Sequence, residues 1–140
     1  MYKNILHATD LSKDHFKMCA QARQIANELN ANLFLIHVIE SPTSLQIAQG
    51  LGFTEIYNPV DEKANAESIL KIIGESLDIP VENQIVTIGS IKQNVIKIAQ
   101  ELECNLIIIG RHAHKNIPEF LDSTAHLVIN NAPCHVLTIS

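Results

Sequence analysis

Short, densely apolar runs alternate along this chain with longer stretches in which apolar residues return every three or four positions. The first rhythm is that of strands covered on both faces, the second that of helices with one buried stripe. Residues 4–9 predict a first strand. Ser12 is placed to cap a helix whose apolar face is Phe16, Cys19, Ala20, Ala26 and Leu29, and Asn30-Ala31-Asn32 reads as a turn. Residues 33–39 predict strand two. The stretch 41–59 is irregular, with Pro42, Gly50, Gly52 and Pro59, and has room for a short helix at 44–49. Asp61 is placed to cap a helix with Ala66, Ile69, Leu70, Ile73 and Leu77 on one face, ended by Ile79-Pro80. Strand three follows at 84–88. Gly89-Ser90 then turns and caps a helix carrying Ile91, Val95, Ile98, Ala99 and Leu102. Strand four covers 106–109 and ends at Gly110; 111–122 is a polar loop. A helix at 123–131 is closed by Pro133, and 135–139 is strand five.

Strands alternating with helices predict βαβ units with right-handed crossovers. The fold class is therefore α/β: a single doubly wound, open, parallel five-stranded sheet with four helices. No repeat, low-complexity tract or linker interrupts it, so residues 1–140 read as one domain. In such sheets ligands bind beyond the carboxyl ends of the strands, where strand order reverses. With strand one central, that point lies between strands one and four, which end at Asp10 and Gly110.

Composition narrows the function classes. The apolar share of 46% is ordinary for a globular core, and a net charge of −5 repels the phosphates of nucleic acid. No run approaches the roughly 20 apolar residues of a membrane span. The opening MYKNILHATD lacks the apolar run of a secretory signal, so a cytoplasmic protein is expected. Cys19, Cys104 and Cys134 are scattered, without a CxxC pair, and read as small buried hydrophobes rather than a disulfide framework or a thiolate zinc site. Among seven histidines, His7 and His37 read as hydrogen-bonded core residues. His112 and His114 lack a carboxylate or cysteine cluster to complete a metal site, so no metal ligand is assigned. No GxSxG, HExxH or GxxxxGK[ST] motif is present, and no catalytic residue is assigned.

ILHATDLS, LFLIHVIE, TIGSIKQNVIKIAQELECNLIIIG and NNAPCHVLTIS, in this order and spacing, resemble the universal stress protein family. The resemblance covers nearly the whole chain. It implies an adenine nucleotide alpha-hydrolase-like sheet of strand order 3-2-1-4-5, homodimers often paired through strand five, and a bacterial cytoplasmic role in stress resistance. One class of the family binds ATP through the pattern G-2x-G-9x-G-[ST] after strand four; another lacks the pattern. Here Gly110 opens it, Ala113 and Ser123 stand at the other two glycine positions, and Thr124 follows. Glycine takes positive φ without steric cost and lets backbone amides approach phosphate; a substitute forced there costs about 1 kcal/mol or more. Glu119 and Asp122 add negative charge to the loop, whereas Arg111, His112 and Lys115 add basic side chains. Ser123 and Thr124 offer hydroxyls and amides at a helix start.

By the same resemblance, Asp10 matches the acid that lies near ribose and adenine, and Val38 lies where the main chain meets adenine. From the residues alone, Asp10 is equally a turn residue holding backbone amides, and Val38 packs in the core in either case. Two readings stay open: a non-enzymatic dimeric stress-response module with weak or absent nucleotide binding and an unknown protein partner, and an ATP- or AMP-binding member with a degenerate phosphate loop and slow hydrolysis. A metal-binding regulator using His112 and His114 is a third. Strand five, 135–139, is apolar and nearly uncharged, and the sequence stops at Ser140. That edge is expected to pair with its own copy unless the 41–60 loop shields it, and proline at Leu137 is expected to weaken the pairing.

Overall fold

Alternation of side chains along five strands sorts the apolar residues onto two faces of one sheet. The structure, a computed structural model, describes residues 1–12, 14–40, 59–111 and 123–140, with backbone alone at Pro59 and Ser123. The strands are β1 (Asn4–Ala8), β2 (Asn32–Ile39), β3 (Gln84–Ile88), β4 (Leu106–Gly110) and β5 (His135–Ile139). The helices among the described residues are α1 (His15–Glu28), α2 (Pro59–Leu77), α3 (Ile91–Glu101) and α4 (Ser123–Asn131), with a 3-10 turn at Val81–Asn83. The sheet is parallel throughout, in the order β3-β2-β1-β4-β5. This is the order that the family resemblance implied. The proposed helix at 44–49 and the loop at 112–122 lie outside the described residues.

On one face Ile5, Leu33, Leu35, Leu106 and Ile108 pack against Cys19, Ala22 and Ala26 of α1 and Leu70 and Ile73 of α2. On the other, Leu6, Ile36, Val38, Ile107 and Ile109 pack against Val95 and Ala99 of α3 and Ala125 and Val128 of α4. Strands β1 and β4 sit inside the sheet with both faces covered, which is why residues 106–109 read as an unbroken apolar run and β1 carries a buried His7 between apolar neighbours. Each such side chain contributes up to about 1.5–3 kcal/mol of burial.

Local chemistry moves some boundaries. Ser90 caps α3 as expected: its side chain accepts from the Gln93 amide at 3.3 Å. Ser12 does not cap α1, which starts three residues later behind Asp14. The Ser12 amide is instead held by Asp10 Oδ1 at 2.9 Å, and Leu11 adopts φ +56°, so the chain is still turning where the helix was expected. Asp61 is not a cap either. Pro59 opens α2, where its missing N–H costs nothing, and Asp61 and Glu62 lie in the first turn against the positive end of the helix dipole. The buried stripe of α1 is Met18, Cys19, Ala22 and Ala26. Phe16, placed on that stripe by spacing, is 48% exposed, and Leu29 also lies outward.

Candidate functional site

The register of the three central strands lines up their carboxyl ends. Ala8 pairs with Ile36 on one side and Ile109 on the other. Asp10 follows two residues past β1, Val38 is the penultimate residue of β2, and Gly110 ends β4 with Arg111 directly after it. The structure thus brings Asp10, Val38, Gly110 and Arg111 to one rim at the β1/β4 switch point. Ala113 lies outside the described residues. Ser123 is the first residue of α4, and Thr124, half-buried, is the second.

Each rim residue is held by a specific contact. Thr9 N–H donates to the Ile36 carbonyl at 2.9 Å, extending the ladder one residue past β1. Thr9 Oγ1 accepts from the Leu11 amide at 3.2 Å, and its carbonyl accepts from His37 Nδ1 at 2.8 Å. Exposed Asp10 turns one carboxylate oxygen back onto the Ser12 amide. This is the turn role that its sequence position allowed, and the carboxylate stays at the solvent side of the rim. Leucine at φ +56° directly after it is a costly backbone state, held by the Thr9 and Asp10 contacts on either side. Val38, 9% exposed, belongs to the core cluster on the α3/α4 face, so only its main chain can serve a ligand. The Arg111 amide donates to the Ile139 carbonyl at 2.7 Å, which ties the exit of β4 to β5.

The space beside Gly110 is filled by a side chain that the sequence did not single out. A Cβ there would run into Met18 Sδ of α1, and Gly110 is not among the positive-φ residues. A larger residue there would have to displace the buried Met18 side chain, whereas no left-handed backbone is involved. Met18 and Leu11 are the two rim residues that the sequence reading missed; neither side chain carries a chemical signal, and only the packing reveals them.

His7 and His37 are hydrogen-bonded, as expected. His7, 1% exposed, donates through Nδ1 to the Ile108 carbonyl at 3.0 Å, and its Nε2 has no partner among the described residues. Burial holds its imidazole near a pKa of about 4, against the smaller opposing pulls of the Ile108 carbonyl and the Asp10 charge. Burial likewise pushes the Cys19 thiol up to about 11, so it is not a nucleophile at neutral pH. Among the described residues no group of three or more His, Cys, Asp or Glu could hold a metal ion. No described helix is long and apolar enough to cross a membrane.

The family model described as the universal stress protein family matches residues 1–140. The chain belongs to the universal stress protein family. It is similar to universal stress protein A homolog 1 of Coxiella burnetii, at 33% identity over 142 aligned positions covering 99% of this chain and 96% of the relative. Solved universal stress proteins share the fold. The UspA protein of Lactobacillus plantarum superposes with a TM-score of 0.73 at 24% identity, covering 99% of this chain and 98% of that one. A universal stress protein in complex with cAMP superposes at 0.70 and 18% identity, covering 99% and 96%. In this universal stress protein Asp10 and Val38 come to the rim from the ends of β1 and β2, and Gly110 closes β4 beside them.

Proposed function

We propose that this universal stress protein works as a cytoplasmic, homodimeric stress-response module of one domain, residues 1–140, with a weak or absent hold on adenine nucleotide. The observation that carries the reading is the substitution of Ala113 and Ser123 for two of three phosphate-loop glycines. The rim fits the adenosine half of ATP or AMP: Asp10 and the Val38 main chain face the switch point, and Arg111 stands beside them. The phosphate half fits less well, because Cβ atoms at 113 and 123 oppose the close amide approach that holds a triphosphate. A second reading, an ATP- or AMP-binding member, draws on the intact spacing to Ser123 and Thr124 at the start of α4 and on a structural relative seen with cAMP. No catalytic residue is assigned in either reading.

Native mass spectrometry of freshly purified protein separates them: a bare dimer is expected, and retained nucleotide favours the second reading. By calorimetry, ATP is expected to bind with Kd no tighter than about 100 μM, roughly −5.5 kcal/mol. Ala113→Gly with Ser123→Gly should tighten it about tenfold, by removing strain of about 1 kcal/mol or more. Low-micromolar binding to the unaltered chain sinks the proposal. No gain from the paired glycines assigns the weakness to Glu119 and Asp122 instead.

The dimer is proposed to form through β5. That strand pairs only with β4 among the described residues, and Leu137 is 39% exposed, with Leu127 and Ile129 of α4 also outward-facing nearby in sequence order. The direction of its hydrogen bonds selects the test. The Ile139 carbonyl accepts from Arg111, so residues 135, 137 and 139 turn their main-chain groups toward β4. Proline at Leu137 therefore cuts the chain's own ladder. Val136 and Thr138 face the open edge, and a two-fold axis at Leu137 pairs each with the other across an antiparallel joint. Thr138→Pro removes one outward donor from each copy and should weaken the dimer at least tenfold by light scattering across a dilution series. An unchanged dimer moves the interface elsewhere.

A further inference from the structure

Cys104 and Cys134 are far apart in sequence but lead into neighbouring strands. The parallel register pairs Leu106 of β4 with His135 of β5. Continued one residue back, it sets Asn105 beside Cys134 and Cys104 on the diagonal. Cys104 follows the turn at Glu103 and Cys134 sits in the bend before β5, so the register brings the two segments together at the feet of those strands. A disulfide needs Cα atoms about 4.4–6.8 Å apart, the scale on which neighbouring strands lie.

The side chains also share a face. Strict alternation from Leu106 would send Cys104 to the α1/α2 side. The chain instead turns at Glu103, where φ is +51°, and the Cys104 amide donates to the Ala99 carbonyl of α3 at 2.8 Å. Cys104 thereby joins Ile107, Ala99 and Val128 in the cluster under α3 and α4, and Cys134 packs against the same cluster. The two thiols sense each other: after burial, charge on Cys134 is the next cause that raises Cys104, to about 12. Cys19 is buried in the cluster on the opposite face of the sheet, out of reach of both.

We propose that Cys104 and Cys134 are a redox-sensitive thiol pair, which hydrogen peroxide closes into an intrachain disulfide joining the feet of β4 and β5. Cys134 is half-buried and meets the oxidant first, while Cys104 is buried and waits behind it. The Cys134 sulfur, having lost its proton, attacks one peroxide oxygen. The O–O bond breaks, and the departing hydroxide takes up a proton as water. The resulting sulfenic acid is attacked by the Cys104 sulfur as its proton leaves; the S–O bond breaks and a second water departs. Two thiols and one peroxide thus give one disulfide and two waters. Burial raises both thiols, so closure is slow at neutral pH, quickens as pH rises, and marks sustained rather than brief oxidation.

The test is hydrogen peroxide treatment of the whole protein, then intact mass, a peptide map without reduction, and thiol titration in denaturant. The expected result is a mass lower by two hydrogen atoms and a peptide pair joining Cys104 to Cys134. Titratable thiols should fall from three to one, and dithiothreitol should restore them. Cys104→Ser and Cys134→Ser each abolish the intrachain link, and Cys19→Ser leaves it intact. The map of the unaltered protein decides the matter even where a variant fails to fold. A link to Cys19, a bond found only between two chains, over-oxidation of Cys134 without a link, or three surviving thiols each overturns the proposal.

Discussion

Between pH 7 and pH 4.5 the unaltered chain is expected to lose about 2–3 kcal/mol of stability that His7→Asn retains. His7 is buried, and its imidazole titrates at about 4 in the fold, compared with 6.5 when exposed. The folded state therefore prefers the neutral ring. In the window from 6.5 down to about 4 the unfolded chain binds a proton that the folded chain refuses, so stability rises with pH there. The contribution is whole above the unfolded value, falls as pH drops through the window, and levels off below about 4. Desolvation is the cause: a charged imidazole buried beside the Ile108 carbonyl of β4 loses water, and its Nε2 has no described partner to replace it. Asparagine keeps a donor for the Ile108 carbonyl and does not titrate. Urea midpoints at both pH values and a fixed protein concentration read the difference. Equal acid losses in the two proteins would place His7 among groups that stay solvated.

Gly74→Ala is expected to destabilise the fold by about 2–3 kcal/mol. The same change in an exposed helix interior stabilises by about 1 kcal/mol, so sign alone tests the argument. Gly74 lies near the end of α2, where its carbonyl accepts from the Ile79 amide at 2.9 Å and Asp78 turns the chain at φ +55°. A Cβ there would meet the Ile79 carbonyl at 2.6 Å and run into the Gln84 side-chain amide. Backbone cannot yield cheaply. The displaced Gln84 would also lose its 3.0 Å hydrogen bond to that same carbonyl, the contact that pins the first residue of β3 beneath α2. Helix propensity works in the opposite direction and is outweighed. A urea midpoint equal to or above that of the unaltered chain would refute the steric account.

Burial periodicity is a local property, and what depends on it could be read from residue order. The alternation of strands and helices, the doubly wound parallel sheet, the Ser90 cap and the meeting of Asp10 and Gly110 at one rim all follow from which positions shun water and from the handedness of crossovers. Strand order 3-2-1-4-5 was legible only through likeness to a family. Contacts that join distant segments carry no periodic mark. The start of α1 was misread because Asp10 captures the Ser12 amide and Leu11 turns left-handed, a competition between a local turn and a helix start that spacing does not weigh. The outward position of Phe16, the Met18 side chain behind Gly110 and the clash that makes Gly74 a glycine depend on how α1 and α2 seat on the sheet. Cys104 and Cys134 read as scattered core residues, and only the β4–β5 register and the cluster under α3 and α4 bring them together; the same register turns the main-chain groups of Thr138, rather than Leu137, toward the open edge. Register is fixed by the whole sheet closing at once, and it converts residues remote in the chain into neighbours whose chemistry is shared.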